Sequence, residues 1–563
     1  MKQLITLSLG LFLFCASSRD VQGQAYDGLT LFQLNNSNTA NLIEMDGSVY
    51  HSWTASSGPG LSIYLLPDGD LLRTLRVGSG PGGAGGAVER VSWDGVVEWH
   101  YDYNQPGQYL QHHDVELLPN GNILLVAWDY KTMAEAVAAG RDPNMISGGQ
   151  LLSDSVIEVQ PTGPNSGQIV WAWYAFDHLV QDFDSSMANY GVVGDHPELA
   201  DFNYPPSGGG GGGGPGGGSG GTDWLHLNSV NYNAELDQIV VSVHNTGEIW
   251  VIDHSTSMAE AAGHTGGNSG RGGDILFRWG NPQAYDQGTG SDQVFYGQHD
   301  AQWIASDLPG AGDILVFNNR LNAPGADFSA VDQITPPVDA SGNYFYFPGS
   351  AYGPSGLTWR YTAPNPTDFY SQNVSGCERL PNGNTLVCSG RQLWLFEVTD
   401  SGQLVWEYIH SVGGGGMPSI FRARRYRLCD SPTTYCQAEP NSNGAGAMIG
   451  WSGSNSVTAN DLVLQVVSAA VNKPGIFYYG PNQIQAPFGD GYRCVGGAVK
   501  RLPVVFTDGF GDASYSVDLM STTLPTGTIA EGDIWNFQFW YRDPPGTLAT
   551  FNLSDALSVP FCP

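Results

Sequence analysis

Three histidines, His113, His226 and His299, each stand at the head of a short apolar strand, and Arg320 ends the return strand after the third. That third stretch reads Gln298-His299-Asp300-Ala301-Gln302-Trp303, the turn Pro309-Gly310-Ala311-Gly312, then Asp313-Ile314-Leu315-Val316-Phe317-Asn318-Asn319-Arg320. An antiparallel return across the turn brings His299 to the same hairpin mouth as Asn319 and Arg320. An imidazole beside a fixed cation suits an anionic group whose charge moves during a reaction. Asn228, two residues after His226, faces the same way on its strand, and His244 lies across that hairpin, so both are candidate ligand contacts. His112 points to the other face from His113. Asp177-His178 and Asp195-His196 fall in an insertion and are loop candidates for capping the site.

Two recurring units position these residues. The first is a hairpin around Leu-Pro-x-Gly: Leu66-Pro67-Asp68-Gly69, Leu118-Pro119-Asn120-Gly121 and Leu380-Pro381-Asn382-Gly383, with looser copies elsewhere. The second is a strand, a Gly-bearing turn and a strand ending in an aromatic, as in Leu42 to Trp53 and Val88 to Trp99. Alternating them gives successive four-stranded sheets, the signature of a β-propeller. The second unit occurs six times and the first is complete five times. One strand from each end, Ile420 to Arg424 and Leu29 to Phe32, supplies the missing copy and closes the ring. The expected fold class is all-β, a six-bladed β-propeller with a C-terminal β-sandwich-like domain. Aligning the hairpins places Leu61, His113, His226, His299 and Ser375 at one position of the innermost strands, a ring around the channel. Channel residues are often polar merely to hold water, and one histidine would mean no more. Three at one register point to a working site.

The remaining organisation follows from composition. Residues 1–23 read as a secretory signal, with Leu4 to Phe14 as its apolar run. The propeller then occupies 24–428, with an insertion and an almost pure glycine linker over 178–222; a linker follows at 429–449, and the β-sandwich-like domain at 450–563. There Trp535, Phe537, Phe539 and Tyr541 alternate on one strand face, expected to be core. The net charge of −32, with only four lysines, excludes nucleic acid and anionic membrane surfaces as partners. No later run is long and apolar enough to span a bilayer, so the chain is expected to be secreted or periplasmic. Outside the signal, six cysteines suit an oxidising compartment. A two-residue loop at Asn382-Gly383 would set Cys377 opposite Cys388; Cys429 and Cys436 flank a short loop, and Cys494 and Cys562 are left to close the C-terminal region. No CxxC spacing supports metal binding and no cofactor motif is present.

Trp224-Leu225-His226-Leu227-Asn228-Ser229-Val230, with Ile239 to His244 and Ile249 to Asp253, resembles the bacterial arylsulfotransferase (ASST-type arylsulfate sulfotransferase) family. Gln298-His299-Asp300 with Phe317-Asn318-Asn319-Arg320 is similar to that family's His…Arg segment, and the likeness covers most of residues 28–428. The resemblance implies a six-bladed propeller that moves a sulfuryl group from a phenolic sulfate to a phenol, with no nucleotide donor. It also implies a transiently sulfated histidine, with other histidines and an arginine holding the sulfate oxygens. By motif His226, His299 and Arg320 carry over, and the partners are a small aryl sulfate and a phenolic acceptor. The sequence departs from the pattern in one place: the blade expected to supply the sulfated histidine begins Ser375-Gly376-Cys377-Glu378. His113, His226 or His299 then takes that role, transfer is direct, or the chain is a non-catalytic extracellular binding propeller. A quinone-dependent dehydrogenase ranks last, because its Gly…Trp repeats are general packing elements.

Overall fold

The computed structural model describes residues 24–561, apart from 67, 78–79, 147, 206–222, 322–327, 412–417, 428–431, 454, 456, 458–459, 520, 522–528, 531 and 545–548. The expected signal over 1–23 lies outside the described residues, as do most of the glycine linker, Cys429 and Cys562.

Six antiparallel sheets follow one another as blades of a β-propeller. The first joins Ile420–Tyr426 to Leu29–Leu34, Thr39–Ile43 and Val49–Thr54, so a strand from far along the chain completes it, as the repeat count requires. The second holds Pro59–Leu65, Leu71–Arg76, Gly86–Val91 and Val97–Asp102. The third runs from Asn104–Gln105 through Tyr109–Leu117, Ile123–Thr132 and Gln150–Gly163 to Ser166–Tyr174. The fourth is Leu227–Asn233, Gln238–Val243, Glu248–Asp253 and Phe277–Trp279, and the fifth is His299–Trp303, Ile314–Asn318, Ala330–Ile334 and Trp359–Tyr361. Gly376–Arg379, Thr385–Ser389, Trp394–Val398 and Leu404–Ile409 make the sixth.

Side-chain pattern explains this order. Gln238–Val243 and Glu248–Asp253 are buried at every position, as middle strands covered on both faces must be. Outer strands such as Leu404–Ile409 are exposed or half-buried at every position. Val240, Ile249, Val251 and Phe277 of the fourth blade share a core with Ala301, Ile314, Val316 and Ile334 of the fifth. Truncating one of these large side chains to alanine costs about 2–5 kcal/mol.

The chain forms two compact units, one holding residues 129–156 and 171–423, the other 27–128, 157–170 and the chain from 424. In the second, a five-stranded sheet (Thr433–Tyr435, Phe551–Pro560, Ile534–Arg542, Pro474–Gly480, Lys500–Phe506) faces a three-stranded one (Met448–Ser452, Val463–Val467, Ala513–Ser516). Phe537, Phe539 and Tyr541 fill the space between them against Ile449, Leu464 and Val466, so the aromatic stripe is core. Thr433–Tyr435, within the stretch expected as linker, pairs along Phe551–Pro560.

The cysteine expectations need correction. Leu380 N–H donates to Asn384 O and Gly383, at φ +87°, donates to Leu380 O, so the loop has three residues with a left-handed glycine, not two. Cys377 therefore pairs with Val387 and Gly376 with Cys388. A shift of one residue turns Cys388 to the face opposite Cys377, and both remain buried thiols. Cys436 bonds Cys494, replacing the expected pairings with Cys429 and Cys562.

Candidate functional site

His226 immediately precedes the inner strand Leu227–Asn233 of the fourth blade, in a left-handed conformation (φ +57°). Such a backbone costs a bulky residue on the order of 1–3 kcal/mol and persists only where its surroundings fix it. Here the Asp154 carboxylate fixes it, accepting from the His226 N–H at 3.1 Å and the Leu227 N–H at 3.0 Å. The imidazole swings onto Asp223, with Nδ1 2.6 Å from Oδ2. Burial opposes the imidazolium, but the Asp223 and Asp154 carboxylates outweigh it and raise the His226 pKa above its ordinary value.

His244 follows the second strand of the same blade, its ring centroid 5.2 Å from that of His226 and 5.5 Å from that of His299. Its Nδ1 lies 2.9 Å from Asn245 Oδ1, and the Asn245 amide donates to the carbonyls of Asp223 and Trp224, which sets its orientation. His299 opens the inner strand of the fifth blade. Its Nδ1 faces two acceptors, Asn319 Oδ1 at 2.8 Å and Gly297 O at 3.0 Å. Asn319 is pinned in turn by donating to Ser371 O and Val374 O. All three rings thus hold Nδ1–H against oxygen, and each neutral ring carries its lone pair on Nε2. Burial, then the neighbouring imidazole, lowers His244 to about 4 and His299 to about 3. At neutral pH those two are uncharged.

Arg320 follows Ile314–Asn318, is exposed, and acts electrostatically on His244. No ion pair or hydrogen bond holds its guanidinium among the described residues. The structure groups the rings of His226, His244 and His299, with Asn319 on His299 and Arg320 near enough to act on His244. Asn228 is fully buried and donates to Gln298 O at 2.8 Å, bracing the backbone ahead of His299. His113 belongs to the other unit, where its Nδ1 lies 2.7 Å from that of His112, whose ring stacks on Trp128.

The shared register is only partly as aligned. Leu61, His113, His226 and Ser375 all have positive φ, whereas in the fifth blade the left-handed residue is Asp300, one place after His299. Ser375 is fully buried, donating to Ser371 Oγ and accepting from the Gly390 N–H, so no exposed nucleophile replaces the missing histidine there.

Sequence reasoning missed Asp154, Asp223 and Arg422. Arg422, with a nearly buried side chain, sits 3.4 Å from Asp300 Oδ1 and reaches the Asn228 carbonyl, while Asp300 accepts from the Cys377 N–H. Asp223 stands three residues before His226 at the end of the glycine tract, and that nearness was its only signal. Asp154 and Arg422 are too remote in sequence to have left one. A separate cavity of about 200 Å³, lined by Asp195, Glu198, Arg271, Tyr346 and Tyr352 among others, includes none of the three clustered histidines.

No curated protein matches the sequence significantly. Solved structures similar to it include a protein of unknown function from Bacteroides caccae, 12% identical, covering 71% of this chain and 100% of that one at a TM-score of 0.39. A putative 6-phosphogluconolactonase from Bacteroides fragilis is 14% identical over 72% and 86% of the two chains, at 0.34. Virginiamycin B lyase from Staphylococcus aureus is 10% identical over 69% and 84%, at 0.32. Likenesses this distant carry no argument about activity. A family pattern described as arylsulfotransferase (ASST) matches residues 27–404. That span holds every strand that positions the clustered imidazoles and Arg320, and the chain belongs to the arylsulfotransferase family.

Proposed function

We propose that the protein is an exported enzyme transferring a sulfuryl group from an aryl sulfate to a phenolic acceptor, with His299 Nε2 as nucleophile and His226 as acid and base. The observation that carries this reading is the pairing of a neutral imidazole, its Nδ1–H locked by Asn319 and Gly297, with an imidazole that Asp223 and Asp154 favour as the cation. His299 Nε2 attacks the sulfur, the S–O bond to the aryl group breaks, and the departing phenolate takes the proton of His226. The acceptor phenol then returns a proton to His226 as its oxygen attacks the sulfo group, which restores both rings. Arg320 and His226 oppose the charge on the sulfate oxygens. His244 stays neutral between them as a hydrogen-bonding contact, and Asn228 and Asn319 position rather than bind. His113, occupied with His112, takes no step. Family membership supports aryl sulfotransfer in general, and the Cys436–Cys494 bond supports export.

Incubation with 4-nitrophenyl sulfate and phenol tests this. With the donor alone, one equivalent of nitrophenol should be released and one sulfo group left on the peptide carrying His299, and continued release should require the acceptor. His299→Ala should lower kcat/KM by at least ~10³-fold and Arg320→Ala by ~10²–10³-fold. Absence of turnover across a range of aryl sulfates would replace this reading with a binding propeller, which the buried serine at 375 would then favour.

A further inference from the structure

A second cluster of ligating side chains stands apart from the transfer chemistry. His178, just after the Ala175–Asp177 turn that follows the third blade, is fully buried and reaches into the glycine-rich loop between Glu248–Asp253 and Phe277–Trp279. Its Nε2 lies 2.8 Å from Ala261 O, which can only accept, so that nitrogen carries the hydrogen. In the neutral ring Nδ1 then directs a lone pair at Asp274 Oδ1, 2.9 Å away. His264 brings its own Nδ1 to within 2.7 Å of the same oxygen. One carboxylate oxygen thus faces two imidazole nitrogens.

We propose that His178, His264 and Asp274 form a divalent transition-metal site of the zinc type. Three observations converge on it. The three donor atoms lie within 4.8 Å of one another. Donors of a tetrahedral site with bonds of ~2.0–2.2 Å stand roughly 3.3–3.6 Å apart; the two nitrogens lie 2.9 and 2.7 Å from Asp274 Oδ1, so small side-chain rotations that open these spacings reach the bound geometry. The outer hydrogen bond from His178 Nε2–H to a backbone carbonyl is the arrangement that orients a metal-ligating imidazole. Supports for the ligands are built in. Trp173 stacks on His178 and donates to Gly273 O at 2.7 Å. A Cβ at residue 273 would lie 2.0 Å from Ala261 O and 2.7 Å from His178 Nε2, so only glycine lets the loop close over the ring.

His264 is the exposed ligand, its side chain 59% accessible, so the fourth position opens to water. Two nitrogens, one oxygen and an open position suit zinc or a neighbouring first-row ion. The ion would staple the segment after Tyr174 to the loop carrying residues 264–274. Two stretches far apart in sequence would then depend on one bond set.

The test uses untagged full-length protein stripped with a chelator and titrated with Zn²⁺ alone. Wild type should take up one equivalent tightly, raise its Tm, and slow amide exchange over residues 177–202 and 258–274. Co²⁺ should give the visible bands of a four-coordinate nitrogen and oxygen site, with no thiolate charge transfer. His264→Ala removes an exposed side chain and should leave the metal-free Tm unchanged, yet weaken Zn²⁺ binding roughly 100-fold. Asp274→Asn should weaken it as well. Failure of wild type to bind one equivalent, or equal affinity in His264→Ala, would leave only a hydrogen-bonded His178–Asp274–His264 triad and overturn the site.

Discussion

At the scale of single residues, reactivity here is a matter of which nitrogen carries a proton. His226 and His299 are chemically identical side chains pushed in opposite directions. Asp223, and to a lesser extent Asp154, which burial itself pushes up to about 8, raise the His226 pKa against burial, whereas burial and a neighbouring ring hold His299 neutral. The pH dependence follows with a definite sign. The acid form of His226 is lost as pH rises through its raised pKa, so kcat/KM for the aryl sulfate should fall on the alkaline side, above the ordinary histidine value of ~6.5. The acidic limb should lie near 4 or below, where His244 and His299 gain protons. Asp223→Asn should move the alkaline limb downward, and a profile indifferent to that change would remove His226 from the acid role. The histidines and Arg320 were legible because each stands at one end of a strand in a recognisable hairpin. Asp154 was not, since it reaches His226 from 72 residues away through the tertiary fold.

At the scale of strands and turns, periodicity revealed which segments pair, and loop chemistry decided their register. The Leu-Pro-x-Gly hairpins were readable as hairpins. Asn382-Gly383 nevertheless supports a three-residue loop as readily as a two-residue one, and that choice separates Cys377 from Cys388. Both thiols should stay silent to a membrane-impermeant thiol reagent in the native protein and react on denaturation. The Cys436–Cys494 bond closes a loop with a sequence separation of 58. Replacing both cysteines by serine should cost roughly 4 kcal/mol on chain-entropy grounds, read as a lower denaturant midpoint. Both inner strands carry a bulge, between Leu227 and Ser229 in the fourth blade and between His299 and Gln302 in the fifth, and the left-handed residue lies before the strand in one and inside it in the other.

At the scale of the whole molecule, repeat counting gave the blade number, because each sheet is one copy of the same two hairpin units. Charge sets the other global property. Under the proposed chemistry, a chain of net −32 repels an anionic sulfate ester on its approach to Arg320 and His226. Raising salt from ~0.01 to ~0.15 M shortens the screening length from ~30 to ~8 Å, so kcat/KM for an aryl sulfate should rise with ionic strength while kcat changes little. A fall would mean that local attraction by Arg320 outweighs the field of the whole protein. The first blade carries a further consequence. Ile420–Tyr426 must lie beside Leu29–Leu34 to finish that sheet. At ribosomal speeds of ~5–20 residues per second, the opening strand waits on the order of 20–80 s for its neighbour to be synthesised. During that interval its edge stays open to pairing with other chains, and the first sheet cannot close before nearly the whole propeller has been made.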